Sequence, residues 1–156
     1  MGSEMCIRDS FPEVEIEMIV SDNELDLIDN NIDLGIRIAL MKDSSLIARK
    51  LAPNPRTLFA SQAYIKKRGK PNHPDDLVDH EIISFRNGSP YNDWHFLVDG
   101  KTRLIHAKGM LQLNHGDAIL RSAMNGGGLA MLSRYVVGRH LAAGTLVSVL
   151  DEYVQE

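Results

Sequence analysis

The side chains in this sequence best suited to chemistry are suited to binding rather than to bond breaking. Arg86, between Phe85 and Asn87, carries a planar guanidinium that can hold a carboxylate through two parallel hydrogen bonds. Asn114 offers a directional amide, and the Asn114–Asp117 turn opens a helical pattern whose first N–H groups and dipole favour an anion. The plainer alternative is a helix capped by Asp117 and loop groups satisfied by solvent. Six histidines (His73, His80, His95, His106, His115 and His140) show no H-E-x-x-H spacing and no pairing with cysteines, so no metal site is expected. There is no G-x-S-x-G elbow and no phosphate-binding loop. Gly126-Gly127-Gly128 follows a helix, whereas a dinucleotide fingerprint follows a strand. It reads as a helix stop that lets backbone approach closely, and no cofactor is expected. Asp75, Asp76 and Asp79 read as a solvated acidic face, Lys66-Lys67-Arg68 as a dipole-matched helix end, and Trp94 and Phe96 as core.

These groups need elements to place them. Val14, Ile16, Met18 and Val20 alternate as a strand, Ser21-Asp22-Asn23-Glu24 fits a capping box, and Leu34, Ile36 and Ile38 alternate again. That order predicts a β-α-β unit with parallel strands. Leu46–Leu51 and Arg56–Ala60 read as extended, with Pro53 and Pro55 demoting a central strand to an edge or crossover. Ser61 caps a short helix ending at Gly69, Asp75–Val78 forms a helical turn, and Ile82–Phe85 is a strand. Asp99-Gly100 marks a hairpin between Asp93–Val98 and Lys101–Ile105. Ile119, Leu120, Ala123 and Met124 share a helical face before the glycine stop, and Leu129–Leu132 returns as a buried strand. A helix over Tyr135–Ala142 and a strand over Leu146–Leu150 complete the pattern. In α/β sheets ligands lie at the carboxyl ends of strands, here Ser21-Asp22, Ala39-Leu40, Phe85-Arg86-Asn87 and the Asn114–Asp117 turn.

The 156 residues suffice for one domain or two small lobes, and the formal charge of −4 argues against a nucleic-acid footprint on this segment. The lone Cys6 excludes an intrachain disulfide and suits a reducing, cytoplasmic setting. No apolar run approaches the roughly 18 residues of a membrane span. Met1–Ser10 shows no sustained period, and residues 1–10 read as a non-native assembly or sequencing-adapter scar.

From Phe11 to Leu150 the chain resembles the effector-binding domain of LysR-type transcriptional regulators. The matching text is FPEVEIEMIVSD, then NNIDLGIRIALMKDSSLIARKLAPNPRTLFASQAYIKKRGKPNHPDDLVDHEIISFR, then DWHFLVDGK and LQLNHGDAILRSAMNGGGLAMLSRYVVGRHLAAGTLVSVL. The resemblance implies an α/β, two-lobed type II periplasmic-binding-protein-like domain, with lobe I incomplete. Residues 11–57 plus 133–156 would form lobe I and residues 58–132 lobe II, with Pro53-Asn54-Pro55 and Leu129–Leu132 as hinges. Carried over by position, Ser21, Asp22, Ala39, Phe85, Arg86, Asn87, Asn114 and Asp117 would face a small-molecule effector of the anionic or aromatic-acid kind. The resemblance also implies elements before Phe11: a winged helix-turn-helix that binds DNA, and the first strand and helix of lobe I. Residues after Glu156 and a homo-oligomeric intact protein are implied as well. The function expected is ligand sensing in a cytoplasmic transcriptional regulator, without catalysis or membrane insertion. The rival reading is an extracytoplasmic solute-binding receptor of the same fold.

Overall fold

The computed structural model describes residues 9–21, 25–38, 46–86 and 88–155. The chain divides into two compact units, Met1–Ala39 and Leu40–Glu156.

The second unit is built on β1 (Arg56–Ser61). This strand lies between β6 (Ala130–Ser133) and β7 (Leu146–Ser148) and is antiparallel to both. Pro53 and Pro55 did not demote it, because both precede Arg56 and leave every N–H of the strand available. Its period of two feeds two cores. Leu58 and Ala60 join Leu129 and Met131 in a cluster closed by Tyr64, Leu77, Trp94 and Phe96. Phe59 joins Ala130 and Leu132 on the other face, with Ile83, Ile119, Leu120, Ala123 and Val137. Each fully buried Leu or Phe contributes about 1.5–3 kcal/mol relative to exposure.

β2 (Ile83–Phe85) runs parallel to β5 (Leu111–Leu113) and touches the start of β6. Ile83 N–H donates to the Leu129 carbonyl and Leu129 N–H to the Glu81 carbonyl, both at 2.8 Å. This approach depends on missing side chains. A Cβ on Gly128 would lie 2.3 Å from the Glu81 carbonyl oxygen, and one on Gly109 would lie 1.6 Å from that of Ile82. The glycine run also ends α2 (Gly116–Met124): Gly126 and Gly127 N–H groups bond back to Ala123 and Ser122 carbonyls, both at 3.0 Å. Ile119, Leu120 and Ala123 are buried as the helical spacing predicts, but Met124 faces solvent.

The hairpin is β3 (Asp93–Val98) and β4 (Lys101–His106), with positive φ at both Asp99 and Gly100, as its right-handed twist requires. Trp94 and Phe96 point into the first core. α1 (Gln62–Arg68) is capped by Ser61, whose Oγ accepts the Tyr64 N–H at 3.2 Å. In the 3-10 turn Pro74–Asp79, Asp75 and Asp79 are exposed, as the acidic-face reading expects, and Asp76 is half-buried and tied into the turn. Asp76 accepts N–H groups from Asn72 and His73, which hold its carboxyl below the ordinary range, and Asp75 pairs with Arg103. α3 (Arg134–Ala142) packs Val137 against the sheet.

β7 pairs with β1, and Leu40–Glu156 form one compact unit. One expectation is corrected. Among the described residues of the first unit no strand or ladder forms over 14–21 or 34–38, so the β-α-β unit is not seen there. Alternation specifies a strand's faces but supplies no neighbour, and Val20, Leu34 and Ile36 stay exposed. Between them Asp26 organises a turn by accepting Ile28 and Asp29 N–H groups. The capping box lies across residues 22–24, outside the described residues.

Beside the first core, Tyr64 Oη accepts the Glu81 N–H at 2.9 Å and lies 3.1 Å from His80 Nδ1. The direction of the Tyr64–His80 hydrogen bond follows the His80 tautomer, and a doubly protonated imidazole can only donate in it. Burial pulls His80 below its ordinary 6.5, against the pull of Asp76 and Asp79.

Gly109→Ala is expected to cost about 3 kcal/mol or more, because a backbone carbonyl occupies the methyl's place. Gly138→Ala, in α3 with open space at its Cβ, is expected to stabilise by about 0.5–1 kcal/mol. Urea unfolding of the two variants reads the opposite signs. For His80, the unfolded chain binds a proton that the folded chain resists, so its contribution is full above about pH 6.5 and declines as pH falls. Urea midpoints at pH 7.5 and 5.5 should converge in His80→Gln; an unaltered difference would remove His80 as a cause.

Candidate site at the ends of two parallel strands

Because β2 and β5 are parallel, their carboxyl ends emerge together. Phe85 is in register with Leu113, and Arg86 N–H donates to the Leu113 carbonyl at 2.9 Å. Arg86 and Asn114 therefore follow adjacent strand ends, and both are exposed. α2 begins two residues beyond Asn114.

The helix start differs from expectation. His115, not Asp117, is the N-cap, with extended φ −135° and ψ 134° and its Nδ1 3.2 Å from the Asp117 N–H. The chain is still extended at His115 and turns helical at Gly116, so Asp117 already lies in the first turn. There its carboxylate opposes the helix dipole and takes Arg121 Nε at 2.7 Å, four residues on. Asp117 thus supplies negative charge at the helix start, and Arg121 balances it.

Phe85 is half-buried, with its ring 5.2 Å from that of Tyr91. Its N–H donates to Asn92 Oδ1 at 2.8 Å, and its carbonyl accepts Asn92 Nδ2 at 2.9 Å. A side-chain amide thus does the work of a neighbouring strand at the last residue of β2. Arg56 grips the turn that carries Asn92, donating to the Tyr91 carbonyl at 2.5 Å and the Asp93 carbonyl at 3.3 Å. Burial lowers the Arg56 pKa from its ordinary value, with Tyr91 and Asp93 pulling the other way, and the guanidinium remains charged.

Sequence reasoning passed over Asn92, Arg56 and Tyr91, and placed His115 in the helix entry but not as its cap. Ser89-Pro90 did signal a turn at Asn92, and Ser89 Oγ accepts the Tyr91 N–H at 3.3 Å. Nothing in the types around Arg56 signals its partners, which are backbone carbonyls 35 and 37 residues away. Of the expected residues, Phe85, Arg86, Asn114 and Asp117 lie at this strand-end cluster. Ser21 is an exposed residue of the first unit. Asp22, Ala39 and Asn87 lie outside the described residues. Among the described residues no group of three His, Cys, Asp or Glu could hold a metal ion, and no helix is long and apolar enough to cross a membrane.

The model of the LysR substrate binding domain matches residues 7–155. The chain belongs to the LysR substrate-binding domain family. The match begins inside the Met1–Ser10 segment that its irregular pattern had set apart. This LysR domain is 34% identical over 152 residues to the HTH-type transcriptional regulator DmlR of Escherichia coli (strain K12), covering 97% of the chain and 50% of that protein. It is 32% identical over 145 residues to an uncharacterised HTH-type transcriptional regulator of Haemophilus influenzae, covering 93% and 50%. The chain spans about half the length of the curated relatives it matches. The solved regulatory domain of CrgA, a LysR-type transcriptional regulator from Neisseria meningitidis, superposes with a TM-score of 0.88 at 24% identity. It covers 98% of this chain and 74% of that one. The likeness carries the fold, the α/β periplasmic-binding-protein-like architecture of LysR regulatory domains.

Asp117→Ala is expected to cost only about 0.3–1 kcal/mol, because the pair with Arg121 is exposed. Thermal unfolding at 0.05 M and 0.5 M salt should show the loss shrinking as salt rises.

Proposed function

We propose that this chain is the effector-binding module of a LysR-type transcriptional regulator, reading a small carboxylate at the β2 and β5 strand ends. Arg86 supplies a charge-assisted, two-pronged contact, Asn114 a directional amide, and Phe85 an apolar wall beside Tyr91. The observation that carries the reading is the juxtaposition of Arg86 and Asn114 on adjacent parallel strands of a LysR substrate-binding domain. Such strand ends are where α/β sheets hold ligands. The relatives' names, all HTH-type regulators, favour this reading over the solute-binding receptor.

In the intact protein a DNA-binding domain would be driven by ligand only through unequal affinity for two arrangements of the regulator. Homo-oligomerisation, DNA contact through a separate N-terminal domain, a cytoplasmic setting and the lack of catalysis belong to the same proposal.

Titration calorimetry of the intact regulator with aromatic carboxylates and short dicarboxylates tests it. Arg86→Ala is expected to weaken the best binder about ten- to a hundredfold, with an unchanged urea midpoint. Unaltered affinity would remove Arg86 from the site, and no heat from any carboxylate would remove the anion class.

A further inference from the structure

Arg56 opens β1 directly after Pro53-Asn54-Pro55, a segment tied to the end of β6. Arg134 N–H donates to the Pro55 carbonyl at 2.7 Å, Asn54 Nδ2 to Ser133 Oγ at 3.0 Å, and Arg56 is in register with Ser133. From this fixed base the guanidinium reaches a different element, the Pro90–Asn92 turn. It holds the carbonyls on either side of Asn92, those of Tyr91 and Asp93, and lies 6.0 Å from the centre of the Tyr91 ring. The two carbonyls take different nitrogens of a planar fork with fixed spacing, whereas an ammonium would have to serve both from one point.

What is held in place is the Asn92 carboxamide. β6 bonds β2 only as far as Ile83, so the N–H and carbonyl of Phe85 have no strand beside them. Asn92 fills that position with one acceptor and one donor, and its Nδ2 also lies 3.4 Å from the Arg86 carbonyl. The backbone of Asn92 is fixed in turn: its carbonyl accepts the Ala107 N–H at 2.8 Å, on the way into β5. The carboxamide can meet Phe85 in this geometry only if the turn that carries it does not swing.

We propose that Arg56 and Asn92 are positioning residues for the strand-end site: Arg56 fixes the Tyr91–Asp93 backbone, and Asn92 thereby sets the last residue of β2 and the direction of Arg86. The segment leading into β1 and the loop that carries Arg86 then move together or not at all. The inference gives a role to two residues that do not face the ligand, and its meaning rests on the reading of Arg86 above. Its test uses no ligand, so failure of Arg86 in calorimetry and failure of this linkage are separate results.

The measurement is residue-resolved amide hydrogen exchange on the intact protein. In Arg56→Met the Phe85 amide is expected to exchange about ten- to a hundredfold faster. The Ile83 and Arg86 amides, bonded to the Leu129 and Leu113 carbonyls, should keep their rates. Asn92→Ala should reproduce this pattern, and the double variant should add nothing further, because both substitutions cut one chain of contacts. Arg56→Lys should fall between wild type and Arg56→Met. A Phe85 amide unchanged in Arg56→Met would overturn the proposal. So would equal acceleration of all three amides, the mark of general destabilisation, or additive effects in the double variant.

Discussion

The second unit depends on one strand being buried on both faces. β1 carries Leu58 and Ala60 toward one core and Phe59 toward the other, and β6 repeats the alternation with Leu129, Met131, Ala130 and Leu132. A slip of one residue in the pairing of Leu58 with Met131 would exchange every side chain between cores of different shape. The register is therefore fixed twice over. The hairpin with Trp94 and Phe96 closes one side, and α2 and α3 close the other. Everything at the strand ends inherits its position from this sheet.

The strand-end cluster joins side chains that face outward to a backbone that is fully engaged. β2 is only three residues long and is bonded by three different neighbours: Leu129 at its start, β5 along its length and an asparagine side chain at its end. The close contacts at Gly109 and Gly128 keep the connections tight where a side chain would wedge them apart. A short strand held this way leaves Arg86 and Asn114 exposed on a stiff base. Preorganisation of this kind reduces the ordering cost of any ligand contact these two side chains make, the proposed carboxylate included.

Much of this unit was legible because the signals were local. Asp99-Gly100 specified the hairpin, Gly126 ended α2 and Ser61 capped α1. The pairing of β7 with β1, more than 80 residues earlier, was not legible, since no local signal announces it. The alternation of Val14–Val20 announced a strand that does not form among the described residues, because period two says nothing about what lies alongside. His115 was missed as a cap because aspartate is the commoner cap and Asp117 stood two residues away. Arg56 and Asn92 act through main-chain carbonyls and amides, which have no letter in the sequence.

The central place of β1 also has a cost during synthesis. Leu58 leaves the ribosome 73 residues before Met131, its partner in β6, and β7 follows later still. At roughly 5–20 residues per second the delay is several seconds. For that time the central strand of the sheet, buried along nearly its whole length in the finished fold, has two unpaired edges and two uncovered faces. Unpaired strand edges and uncovered apolar faces are what drive edge-to-edge association, so the interval between residues 61 and 130 is the exposed stage in the making of this fold.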